Sequence, residues 1–259
     1  MTDLVLFVKA TPKGQELPWP RPTELRDVDL PAEFRCAGAD PLCSSGYRKY
    51  VESLRDSAGR ALPNLLARVA PGVDPDRVAF VGFSAAHGLL DALAVHPEDR
   101  ERISAYLLLD ATFASLGATS TKPGYVALGK DAARGDALLV SATSDAGGVD
   151  FMAADEAFAL VWRDIGESRD APVLDPMPVP ARGPFQIGDG AFWYDYGGML
   201  GHGEIGQLAE PMMEAYLLPH WSGTLDERPR RRRGLGGIIV GTLLAALAVW
   251  AAATKHQEE

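Results

Sequence analysis

Five short apolar runs rich in β-forming residues set the main constraint on how this chain can fold: Leu4–Val8, Val78–Phe83, Ile103–Leu109, Ala137–Val140 and Phe192–Tyr196. The middle three are almost unbroken in apolar character, as strands covered on both faces are. Helical spacing fills the intervals. Tyr47, Tyr50, Val51, Leu54, Ala58, Leu62, Leu65, Leu66 and Val69 recur at three- and four-residue steps, with a kink or break expected at Pro63. Phe151, Ala154, Phe158, Val161, Trp162 and Ile165 repeat the pattern, as do Ile205, Leu208, Met212 and Tyr216. Strand alternating with helix predicts an α/β fold: a three-layer sandwich around a mainly parallel sheet of about five strands.

Charge is unevenly spread. The chain has 259 residues and a formal net charge of −10. Its first 227 residues carry a balance of −14 and the last 32 carry +4. An acidic body argues against nucleic acid as a partner, because phosphate binding needs a basic face. The basic residues belong to the C-terminus. There, Gly234 to Thr254 runs 21 positions without a charge. As a helix that length covers roughly 31 Å, the hydrocarbon thickness of a bilayer. Arg228 to Arg233, "RPRRRR", precedes it, so the positive-inside rule places the body on the cytoplasmic side. The expected organisation is a folded domain over 1–220, a polar and arginine-rich tether over 221–233, a membrane-spanning helix over 234–254 and a short tail over 255–259. Leu4–Val8 is too short for a signal-peptide core and follows Asp3 rather than a basic segment.

Two proline-rich stretches interrupt the alternation, at residues 10–44 and 167–189. Each is long enough to serve as a lid or binding loop. The first contains both cysteines, Cys36 and Cys43, read as free thiols of a reducing compartment. No cofactor is expected. No phosphate-binding glycine motif follows a strand, and the five histidines and two cysteines lack metal-ligand spacing.

The chemistry centres on "VAFVGFSAAHGLLDAL", Val78 to Leu93, where an apolar strand runs into Gly-x-Ser-x-Ala and then a helix. A serine hydroxyl needs rigid exposure and a base to act as a nucleophile. A sharp strand-to-helix turn supplies the exposure, and small residues at Gly82 and Ala86 permit the turn. The backbone N–H of Ala85 would then face the developing oxyanion. A simpler role for Ser84 is to cap the following helix. Two further residues weigh against that simpler role. Asp145 follows the fourth run in "LLVSATSDAGG", and His202 follows the fifth in a glycine-rich turn. Ser84, Asp145 and His202, each beyond the C-terminal end of a strand, would meet at one edge of a parallel sheet. Asp110 ends the third run in "LLLDATF" and is the alternative acid. A competent site needs Ser84 Oγ within about 3–4 Å of a His202 ring nitrogen.

With Gly82–Ser84–Ala86, Asp145 and His202 in this order, residues 1–220 resemble the α/β-hydrolase family, in a reduced form similar to cutinases and serine esterases. The resemblance implies a serine hydrolase acting on an ester, thioester or amide through an acyl-enzyme, and the expected membrane anchor suggests a lipid or acylated protein as substrate. It assigns Ser84 as nucleophile, His202 as base and Asp145 (or Asp110) as acid, with Ala85 and either Ala10 or Thr11 as oxyanion donors. The chain departs from the family in having no His-Gly pair after the first strand. That departure, the acidic body and the proline-rich stretches fit a second expectation, a non-catalytic domain of the same fold that recruits partners to a membrane.

His87 is expected to pack beneath the turn, His96 to end a helix and His220 to lie at an interface. Asp150 and Asp155 suit a helix N-terminus, and Asp195 is expected to face water.

Overall fold

All five apolar runs form strands, and the five lie side by side in parallel. The computed structural model describes residues 2–8, 24–28, 30–34, 44–114, 116–119, 122–148, 151–170 and 181–225. Its strands are β1 (Asp3–Val8), β2 (Glu24–Val28), β3 (Arg77–Phe83), β4 (Ile103–Leu109), β5 (Leu138–Ser144), β6 (Arg169–Asp170), β7 (Gly183–Ile187) and β8 (Ala191–Gly197). They form one eight-stranded sheet in the order β2-β1-β3-β4-β5-β8-β7-β6. Pairing is parallel from β2 through to β8 and antiparallel for β8–β7–β6. The expectation of about five strands is therefore corrected to eight. The three additional strands come from the two proline-rich stretches and sit at the sheet edges. Proline cannot donate to a ladder, so such segments are tolerated at edges and give little apolar signal.

Strand periodicity divides the core in two. Leu4, Leu6, Val8, Val78, Phe80, Tyr106 and Leu108 point to one face, while Val5, Phe7, Ala79, Val81, Ala105, Leu107 and Leu109 point to the other. Helices α1 (Ser44–Ser53), α2 (Leu62–Val69), α3 (His87–Ala94), α5 (Pro123–Ala133) and α6 (Ala154–Ile165) supply the first face's cover. The second is covered by α7 (His202–Gly206), α8 (Ala209–Met212), a wide helical turn at Met213–Leu217 and α9 (Leu218–Ser222). Burial on both faces is why the central strands read as continuous apolar runs.

Pro63 does not kink a long helix. It sits in the first turn of α2, where its missing N–H costs nothing, and the break falls between Ser53 and Leu62. Ala61, the residue before α2, has no capping side chain. The cap comes from Asp99 on the short helix α4 (Pro97–Arg100), whose buried carboxylate accepts from Ala61 N and Leu62 N at 2.9–3.1 Å.

The packed body continues past residue 220. Trp221 Nε1 donates to Ser104 Oγ at 2.9 Å, and the Arg77 guanidinium lies 4.9 Å from the Trp221 ring. Cys36, Cys43, Asp150, the tether beyond Leu225 and the apolar segment 234–254 lie outside the described residues. Among the described residues no helix is long and apolar enough to cross a membrane.

Candidate active site

At the C-terminal end of β3, Ser84 adopts φ 54°, left-handed backbone that a side chain other than hydrogen occupies only under constraint. Asp110, directly after β4, adopts φ 45°. Among the described residues these are the two non-glycine positions with positive φ. Both were singled out from sequence for chemistry, and they sit on neighbouring strands, with Phe83 opposite Leu109.

The turn at Ser84 is tight for a steric reason. A Cβ on Gly82 would come within 2.3 Å of Leu90 Cδ1 and 3.1 Å of Ala86 Cβ. Only a glycine there lets the chain fold straight from β3 back along α3. The turn opens as a single 3₁₀ turn, Ser84–Ala86, before α3 begins at His87. The His87 N–H donates to Ser84 O. Ser84 is thus not a side-chain cap of α3.

His202 opens α7, set by Gly201 N donating to Glu204 Oε2 at 2.7 Å. Its Nδ1 lies 3.0 Å from Asp110 Oδ2. Because an ionised carboxylate only accepts, Nδ1 carries the proton and Nε2 is left as an acceptor. The Asp110 carboxylate is fully buried and is held further by Ser144 N on Oδ1 and Ser144 Oγ on Oδ2, each at 2.6 Å. Ser144 N, Ser144 Oγ and His202 Nδ1 thus converge on one buried carboxylate.

The carboxylate that meets His202 is therefore Asp110 and not Asp145, which the sequence reading preferred. Asp145 is exposed, its backbone N–H donates to Gly197 O at 3.2 Å, and its side chain lies beside Gly198. Asp110 was the alternative in that reading. The signal that could have promoted it is a carboxylate closing an almost wholly apolar strand, where burial demands a partner.

The His202 ring stacks on Phe83, with centroids 4.6 Å apart, and meets Phe113 edge-on at 6.0 Å. Stacking on the residue before Ser84 puts the imidazole at the same rim as the serine. Ser84 Oγ nonetheless makes no hydrogen bond among the described residues, so the expected Ser84–His202 hydrogen bond is not formed. The Ala85 N–H follows Ser84 into the turn. Ala10 and Thr11 lie outside the described residues, although β1 ends at Val8 directly opposite Gly82.

Several residues at this rim escaped the sequence reading. Phe113 also meets His87 at 5.9 Å and Phe151 at 5.2 Å, so aromatic rings line the space beside Ser84. The Tyr125 hydroxyl lies 3.3 Å from His87 O and 3.1 Å from Ala111 O, tying the segment after the serine to the segment after the acid. His87 is buried as expected, and desolvation, with the charges of Lys122 and Arg48 adding to it, holds its pKa well below the usual imidazole value. His96 follows the end of α3, Asp155 lies in the first turn of α6, and Asp195 is half-buried with Oδ1 accepting from Gly197 N. His220 is half-buried in α9, away from Ser84 at the opposite end of the strands, and burial, with Arg77 adding, lowers its pKa. No family model, curated protein or solved structure matches this chain.

Proposed function

We propose that this chain is a serine hydrolase of the α/β-hydrolase kind, cleaving an ester or related acyl bond through Ser84, His202 and Asp110. The observation that carries the reading is the pair of left-handed residues, Ser84 and Asp110, on adjacent strand ends, with His202 bound to the second and stacked beside the first. Backbone strain at two chemically apt residues and nowhere else among the described non-glycine positions is how active sites are built.

In this reading Ser84 Oγ attacks the acyl carbon and its proton passes to His202 Nε2. Asp110 stabilises the resulting imidazolium. The oxyanion is received by the Ala85 N–H, with Ala10 or Thr11, outside the described residues, the expected second donor. His202 returns the proton to the departing alkoxide as the acyl C–O bond breaks. Water then repeats the sequence against the acyl-enzyme and releases the acid. The uncharged segment 234–254 and Arg228–Arg233 support a single-pass anchor with the body on the cytoplasmic side, which would place the enzyme near lipid or acylated-protein substrates.

A second reading has one observation in its favour: the uncommitted Ser84 hydroxyl suits a non-catalytic domain that recruits partners to a membrane. Catalytic hydrogen bonds are often loose without substrate, which keeps the enzyme reading first. The deciding experiment is fluorophosphonate labelling of the detergent-solubilised protein. Labelling of wild type that vanishes in Ser84→Ala supports the enzyme, and absence of wild-type labelling supports the recruiter.

A further inference from the structure

Among the described residues, Lys122 is a half-buried cation without an ion pair. Its Nζ lies 3.3 Å from His87 Nδ1, and among the described residues no carboxylate comes within 4 Å of it. An ammonium only donates, so His87 accepts on Nδ1 and stays a neutral imidazole. The nearest candidate counter-charge, Asp91, is already committed. Its Oδ2 accepts from Arg48 Nη2 at 2.6 Å and its Oδ1 accepts from Gly124 N at 2.9 Å. One positive charge is left partly desolvated in a body that is otherwise acidic, a costly arrangement unless an anion completes it.

The position of this charge gives it meaning. His87 is hydrogen-bonded through its backbone to Ser84 O, and Phe113 touches both the His87 and His202 rings. Lys122 therefore stands one imidazole away from the turn that bears the serine.

We propose that Lys122 receives a carboxylate of the substrate, so that the preferred substrates are esters carrying an anionic group. The inference rests on the serine hydrolase reading for its catalytic consequence, but the binding event does not need catalysis. A single ammonium beside a neutral imidazole matches a monoanion better than a phosphate dianion, which favours carboxylate. Burial, opposed in part by the charge of Asp91 and aided by that of Arg48, lowers the Lys122 pKa.

The test uses the full-length, detergent-solubilised protein and has two arms. In the first, mono-p-nitrophenyl glutarate is compared with p-nitrophenyl butyrate. Wild type should favour the carboxylate ester in kcat/KM by about ten- to hundredfold, the worth of one charge-assisted hydrogen bond in a partly buried site. Lys122→Met should bring that ratio to about one, chiefly through KM, and Lys122→Arg should restore part of it. In the second arm glutarate itself is the probe, with dimethyl glutarate and inorganic phosphate as controls. Glutarate should raise the melting temperature of wild type and of Ser84→Ala but not of Lys122→Met, and phosphate should raise it less. No glutarate shift in wild type, a shift that survives Lys122→Met, or a larger shift with phosphate would overturn the proposal. Failure of the hydrolase reading looks different: fluorophosphonate labelling is absent while the Lys122-dependent glutarate shift persists.

Discussion

At the scale of single residues, Asp110 and Asp145 make opposite predictions. Asp110 orients the His202 ring and faces its Nδ1 at 3.0 Å, whereas Asp145 is exposed and makes no side-chain bond to it. Asp110→Asn should lower kcat on a p-nitrophenyl ester by about 10³–10⁴, the size of effect seen when a triad carboxylate loses control of the tautomer. Asp145→Asn should change kcat by less than about twofold. Equal losses in the two variants would return the acid role to dispute. His87 makes a prediction about pH. Its pKa lies well below 6.5 in the folded state and returns near 6.5 on unfolding. Between those two values the unfolded chain binds the extra proton, so stability is full above pH 6.5 and declines as the pH falls through that window. The melting temperature should drop on acidification from pH 7 to pH 5, and His87→Gln should flatten part of that drop.

At the scale of elements, what was legible depended on how local the signal was. The β3–Ser84–α3 turn was readable because its cause is local. Gly82, Ser84 and Ala86 sit within five residues, and the clash a Gly82 side chain would make with Leu90 arises inside the same unit. Gly82→Ala is accordingly expected to cost about 1–3 kcal/mol through overpacking, seen as a lower denaturant midpoint with an unchanged slope. The start of α2 was not readable, because its cap is the carboxylate of Asp99, 38 residues away from Ala61. Asp99→Ala should leave the N–H groups of Ala61 and Leu62 buried and unpaired, a loss of about 1–3 kcal/mol. Hydrogen exchange should show it first at the N-terminal turn of α2. Strands β2, β6 and β7, toward the two ends of the sheet, were likewise missed, since short strands among prolines carry almost no periodic signal.

For the molecule as a whole, the acidic body and the basic, apolar C-terminus predict separable behaviour. On the proposed anchor, removal of residues 228–259 should release the body from membranes without lowering its melting temperature, because the core clusters of the described residues are complete without them. Replacing Arg228 and Arg230–Arg233 by glutamate should shift the body's orientation toward the other side of the bilayer, read by protease protection in sealed vesicles. Retention of the truncated chain in the membrane pellet after alkaline extraction would argue against the anchor.

The amino-acid order alone determined that this chain builds a mainly parallel α/β sheet, because apolar runs alternating with helical spacing leave few other ways to bury both faces of each strand. It also determined where the serine stands, since the residues that force the turn are neighbours in the chain. Only the tertiary structure decided which carboxylate serves His202, because two aspartates at neighbouring strand ends look alike until one is buried and met by Ser144. It alone also revealed Lys122 as a charge with no carboxylate beside it among the described residues. Pairing depends on which groups are brought together across long separations, and that information is carried by packing rather than by spacing.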